Sequence, residues 1–236
     1  MKARKKNAKT PQKRDSDATR AKILQAALAE FSEKGLPAAS TDDIAARCKV
    51  NKRMIYYYFG SKEGLYLAAL ESVFENLVAL EKTIEVEHLD PPKAIAAMIN
   101  LKIDYYLDNP YFVSFLSMEN FYKARYLRTS KKLDLFKTPL TDVIARILKR
   151  GERTGQFRQN IESVDFYVSL SALCIMHFSN QHTLGAIFGR DMMTPQLIEL
   201  RRQTVVDFVL GYLTMPGAAP LSPLRKGRKA LHPLVS

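Results

Sequence analysis

Residues 40–62 read STDDIAARCKVNKRMIYYYFGSK, and this stretch decides the fold. Ser40 followed by Asp43 matches a capping box, in which each side chain accepts from the other residue's backbone N–H. Ile44, Ala45 and Cys48 recur at helical spacing and give a short helix with a small apolar face. Lys49-Val50 supplies a turn, and Asn51 is a good N-cap for a second short helix from Lys52 to Phe59. That helix carries Lys52, Arg53 and Met54 in its first turn, then Tyr56-Tyr57-Tyr58. Gly60 breaks it, and Ser61 caps a third helix. Two short helices across a tight turn, the second opening on donors, are what a helix-turn-helix needs to enter a major groove.

The recognition chemistry follows from the residue types. Lys52 and Arg53 can donate to guanine O6 and N7, and Met54 can meet a thymine methyl, so these three read as base contacts. Ile55 and Phe59 read as core. Neighbouring helical positions point about 100° apart, so at least one of Tyr56, Tyr57 and Tyr58 must face inward. Asp42 and Asp43, being acidic, are expected to point away from phosphates or only to cap.

The run VNKRMIYYYFGSKEGLY, preceded by DIAARCK, closely resembles the DNA-binding domain of the TetR family of transcriptional regulators, over about Asp17 to Leu70. The resemblance implies Thr41, Tyr56, Tyr58 and Lys62 as phosphate contacts and Tyr57 as a further contact at the DNA surface. Hydroxyls and helix N-termini are physically suited to hold phosphate oxygens. It also implies a homodimer and a small-molecule effector bound in the rest of the chain. One residue departs from the family pattern: the turn usually holds glycine, and here it holds Lys49. A positive φ at that position costs lysine more than glycine.

Composition agrees with a polyanionic partner. The 236 residues carry a net charge of +12, with 47% hydrophobic residues, enough to bury a sizeable core. Lys2, Arg4, Lys5, Lys6, Lys9, Lys13 and Arg14 precede the first acidic residue, Asp15, and Arg225, Lys226, Arg228 and Lys229 sit near the other end. Cys48 and Cys174 lie far apart in apolar helical contexts and read as free thiols. No signal peptide is expected and no run approaches roughly 18 apolar residues, so a cytoplasmic protein without a membrane partner is expected. Neither a GxSxG, P-loop, HExxH or GxGxxG pattern nor a catalytic constellation is identifiable, so no enzyme and no cofactor are expected.

Taken in order, residues 1–16 read as a basic flexible arm, 17–70 as the helix-turn-helix DNA-binding domain, 71–215 as a helical effector-binding and dimerisation domain, and 216–236 as a flexible basic tail. The class is all-α, with about nine helices. A support helix runs from Asp17 to Lys34, ended by Gly35, and a linking helix from Lys62 to about His88. Asp90-Pro91-Pro92 opens a helix to Leu107, and Asn109-Pro110 opens another to about Arg128. Thr129 to Lys132 is a loop, Pro139 opens a helix through Arg153, and one from Ser163 reaches about Gln181. A loop holding Gly185, Gly189 and Arg190 follows, then a last helix capped by Thr194-Pro195 and ending near Thr214.

The helix from Ser163 is apolar almost all round, so it is buried on more than one side. Tyr167, Cys174 and Phe178 from it, with Val205, Phe208 and Tyr212 from the last helix, read as a homodimer interface in a four-helix arrangement, the alternative being ordinary core. A two-fold reader would place two recognition helices about 34–36 Å apart on double-stranded DNA, or a multiple of that. Tyr105, Met118, Phe121, Tyr122, Met176, His177 and Asn180 could line an effector pocket, although the same composition fits plain core. His177 and His182 are five apart, which argues against a metal site. The resulting reading is a sequence-specific transcriptional regulator, a repressor released from a pseudo-palindromic operator by an effector. A sequence-tolerant architectural DNA binder is the alternative.

Overall fold

The structure, a computed structural model, describes residues 11–136 and 140–215. Most of the basic arm and the whole basic tail lie outside the described residues. Among the described residues there are ten α-helices and no strand. Helix α1 (Pro11–Ala38) begins at Pro11 rather than Asp17, a proline being well tolerated in a first turn. The segment 11–16, expected to be flexible, is therefore helical. Gly35, at φ 70°, interrupts α1 where the sequence places its end, and a last turn carries on to Ala38. Ile23, Ala27 and Phe31 form its buried stripe.

Helices α2 (Thr41–Cys48) and α3 (Lys52–Phe59) match the bounds read from their caps. The capping box is only half made. Ser40 Oγ accepts from the N–H groups of Asp42 and Asp43, but Asp43 reaches Lys34 at 2.8 Å instead of turning back. The Ser40 N–H donates to the buried Glu30 carboxylate, 3.3 Å away.

Helix α4 (Lys62–Glu81) ends at Glu81, not His88. At ~1.5 Å per residue it spans roughly 30 Å. The physical reason for the early stop lies in α7 (Leu140–Arg153), where Arg150 donates to the carbonyls of Val86, Glu87 and Leu89. Those acceptors serve an arginine and not another turn of helix. Helices α5 (Pro91–Asp108) and α6 (Pro110–Phe121) each open on a proline, as read. Helix α6 stops at Phe121 rather than Arg128, because Lys123 and Ala124 adopt φ of 56° and 57°. Helix α8 (Ser163–Ser179) stops short of Gln181, which begins α9 (Gln181–Phe188) where a loop was expected. Gly189, at φ 62°, ends α9, and α10 (Pro195–Thr214) follows behind its Thr194 cap.

Helix α5 is the axis of the body, packing on α7, α8 and α10 with Ile95, Met98, Ile99 and Ile103 buried. The head, α1 to α3 with the start of α4, meets the body at one side chain. Tyr66 on α4 is edge-on to Phe31 of α1 and stacked on Phe115 of α6, both with ring centroids 5.3 Å away. Its hydroxyl donates to Glu119 Oε1 at 3.2 Å, and the Leu127 N–H donates to Glu119 Oε2 at 2.9 Å. Burial, reinforced by the Glu119 charge, holds the Tyr66 hydroxyl far above the usual tyrosine range, so it is a permanent donor.

Candidate nucleic-acid interface

The turn between α2 and α3 fixes how α3 is presented. Lys49 adopts φ 55°, ψ 42°, the left-handed conformation, and its N–H donates to the end of α2. A lysine thus occupies a position whose geometry favours glycine, and the turn keeps its form. Asn51 Oδ1 then accepts from the Arg53 N–H at 2.9 Å and caps α3.

Along α3 the side chains divide sharply. Ile55 is fully buried and anchors the helix. Arg53 and Tyr57 face solvent, Tyr57 with 76% of its surface exposed. Lys52 is half exposed and pairs with Asp42 at 2.7 Å, and this hydrogen bond raises the ammonium above the usual lysine range. Met54, expected to touch a base, packs partly against the head core. Phe59 is half-buried beneath the Arg20 guanidinium, 5.1 Å from its ring centroid.

The expected phosphate contacts separate in the same way. Tyr56 is exposed and its hydroxyl lies 3.3 Å from Thr41 Oγ1, while Thr41 itself is buried. Thr41 therefore positions Tyr56. Tyr58 is the inward-facing member of the tyrosine run: half-buried, with its hydroxyl 3.1 Å from Ser16 Oγ. Lys62 Nζ donates to the carbonyls of Pro37 and Ala39 at 3.2 and 3.1 Å, which ties the start of α4 to the end of α1. Sequence reasoning missed Ser16 and Asp42 as partners. Nothing local marks Ser16, which is 42 residues away from Tyr58.

Acids restrain the other cations near this surface. Glu30, fully buried, pairs with Lys34 at 2.7 Å and with Arg47 at 3.3 Å, and Arg47 also holds Glu33 at 2.9 Å. The arginine hydrogen bond keeps the Glu33 carboxyl below its usual range. Helices α1 and α2 thereby form a braced platform behind α3.

Residues 23–69 match the model of bacterial regulatory proteins of the tetR family, and residues 91–209 match the tetracyclin repressor-like C-terminal domain. The transcriptional repressor NicS of Pseudomonas putida is 33% identical over 181 residues, covering 77% of this chain and 85% of NicS.

The chain belongs to the TetR family.

Other relatives are similar over shorter spans. The transcriptional repressor SCO4008 of Streptomyces coelicolor is 35% identical over 45% of this chain and 52% of its own length. Among solved structures, the putative regulator SCO4942 from Streptomyces coelicolor shares the fold with a TM-score of 0.57 at 23% identity, over 84% of this chain and 99% of that one. An HlyIIR mutant protein has a TM-score of 0.60 at 22% identity, over 84% and 98%. This TetR-family protein is a ligand-responsive, DNA-binding transcriptional repressor and not a sequence-tolerant architectural binder. No helix among the described residues is long and apolar enough to cross a membrane.

The structure disperses the body residues expected to form one effector pocket. Tyr105 is buried and its hydroxyl donates to the Val73 carbonyl of α4 at 3.0 Å. Phe121 is 82% exposed at the end of α6, with Met118 and Tyr122 half-buried beside the head–body junction. Met176 and His177 line a separate open cleft of about 240 Å³ between α8 and α10. There His177 Nε2 donates to the Met192 carbonyl at 2.6 Å, and Asn180 donates to the Met176 carbonyl at the end of α8.

The expected dimer residues also split. Cys174, Phe178 and Val205 are buried in the chain's own core, which removes them from any outer surface, and burial pushes the Cys174 thiol up to about 11. Tyr167 is half-buried, while Phe208 and Tyr212 face outward. An all-round apolar helix gives no sequence signal for which side points out.

Proposed function

We propose that this repressor acts as a homodimer joined through the outer faces of α8 and α10. Val164, Val168, Ala172 and Met176 form one exposed ridge at i, i+4 spacing on α8; Leu200, Thr204, Phe208 and Tyr212 form another on α10. Apolar patches of this extent mark interaction surfaces, and matched i, i+4 ridges are the geometry by which helices interlock. A two-fold pair of these ridges makes a four-helix contact. In this reading the chain divides at about residue 70 into a DNA-binding head and a dimerising body, and the two heads address successive major grooves of a pseudo-palindromic operator. Arg53 and Lys52 read bases; Tyr57, Tyr56 and the N-terminus of α3 hold phosphates.

The single observation that carries the release mechanism is the junction at Tyr66. Helix α4 belongs to the head at this residue and runs on into the body, so a shift of α6 or the end of α4 moves α1 through the Phe31–Tyr66–Phe115 rings. An effector that binds the body with different affinity in two positions of α4 changes head separation, and DNA binding changes effector affinity by the same factor.

Selection of bound fragments from genomic DNA by the purified full-length protein tests this reading. The expected result is a two-fold symmetric motif whose half-site centres lie about 34–36 Å apart, or a multiple of that. An asymmetric motif, or bound fragments with no common motif, would overturn it.

A further inference from the structure

Lys102 sits on the inner face of α5 with 3% of its surface exposed. Its ammonium is 4.8 Å from the ring centroid of Tyr167 on α8 and 6.0 Å from that of Tyr106 on its own helix. Glu81, the last residue of α4, is 2% exposed and acts on it electrostatically, as does the buried Cys174 thiol. Removing an ammonium from water costs several kcal/mol even after relaxation. Set against that cost are one carboxylate and two aromatic faces. Burial holds the ammonium below the usual lysine range, while Glu81 pulls it back up.

The place of this pair in the fold gives it meaning. Helix α4 is fastened to the body at two polar points: Tyr66 to Glu119 near the head, and Glu81 to Lys102 at the far end. We propose that Lys102 is the anion-recognising group of the effector site, and that the effector is a small organic carboxylate that takes the place of Glu81 beside the ammonium. The inference rests on the effector-released reading above and supplies its chemistry. Two carboxylates crowded against one ammonium repel each other, so the incoming one displaces Glu81 and unfastens the end of α4. One point charge facing one carboxylate is matched by a monoanion; phosphate recognition favours the forked donors of arginine. The flat faces of Tyr106 and Tyr167 accommodate the apolar body of such a ligand.

The test is calorimetric titration of the full-length protein with benzoate, phenylacetate and hexanoate, each beside its uncharged amide. It is run on the wild type, Glu81→Gln, Lys102→Met and the double variant Lys102→Met/Glu81→Gln, which removes both charges and leaves no unpaired ion in the core. At least one carboxylate is expected to bind, and its amide to bind roughly thirtyfold or more weakly, the size expected when one member of a buried charge pair is lost. Glu81→Gln should bind that carboxylate more tightly, and the double variant should lose the preference for it. Failure of all three acids to bind at millimolar concentration, equal binding of acid and amide, or a double variant that keeps the preference would each overturn the proposal. Operator binding measured alongside separates the two ideas. A Lys102-dependent carboxylate that leaves operator affinity unchanged supports the anion site and overturns release; a neutral compound that releases the operator does the reverse.

Discussion

The residues turned outward on α3 are Lys52, Arg53, Tyr56 and Tyr57; those turned outward on α8 and α10 are Val164, Val168, Phe208 and Tyr212. On α3 the polar groups are already placed, Lys52 by Asp42 and Tyr56 by Thr41. The outer ridges of α8 and α10 carry methyl groups and rings instead. The first surface suits a charged, hydrated partner whose grip weakens with salt. The second suits a dry contact whose strength comes from area removed from water. One chain therefore meets its two macromolecular partners through different physics, and salt and point substitutions should separate them.

The largest effect should come from the body. Phe208→Glu places a charge in the middle of the α10 ridge, where the side chain is 67% exposed, so folding is spared. Sedimentation should show a monomer, and operator affinity should fall roughly 10²–10⁴-fold, because the second half-site is no longer tethered. A Phe208→Glu protein that remains dimeric would break the comparison. Next in size, Arg53→Ala should cost about 1–3 kcal/mol at one base step and relax the preference there without altering the dimer. Competition binding across single-base operator variants checks this, and a uniform loss at every base would move Arg53 from base reading to phosphate holding. The smallest effect belongs to the turn. Lys49→Gly relieves a left-handed backbone worth ~1–2 kcal/mol but adds unfolded-state entropy worth ~0.5–1 kcal/mol. Thermal unfolding should show a gain of about 0.5–1 kcal/mol.

The same comparison governs what could be read from the sequence. Helix α3 was legible to the residue because Asn51 and Gly60 are local stop signs, and α10 opens on the equally local Thr194-Pro195. Helix α4 was read too long because its end depends on Arg150, more than sixty residues away, whose hydrogen bonds consume the carbonyls of Val86, Glu87 and Leu89. Helix α9 was read as loop because Gly185 lies inside it and no side chain caps it. Within the site, residue type announced donors but not direction. Thr41 and Tyr58 have the hydroxyls a phosphate needs, yet packing assigns Thr41 to Tyr56 and Tyr58 to Ser16. Cys174, Phe178 and Val205 were placed at an interface because nothing in an all-round apolar helix distinguishes its inner side. Lys102 stood in a helix whose apolar spacing was plain, and its burial became visible only in the fold.

Lys62 grips the two carbonyls at the end of α1, and Gly64 lies so close to Phe59 that a Cβ there would sit 2.1 Å from its carbonyl oxygen. The three-helix unit is thus riveted shut at its back and has little room to deform internally. Whatever the small molecule does, each half of the operator should be spelled identically before and after it binds. What changes is the number of base pairs tolerated between the halves, so induction in this protein is a matter of phase along the double helix and not of vocabulary.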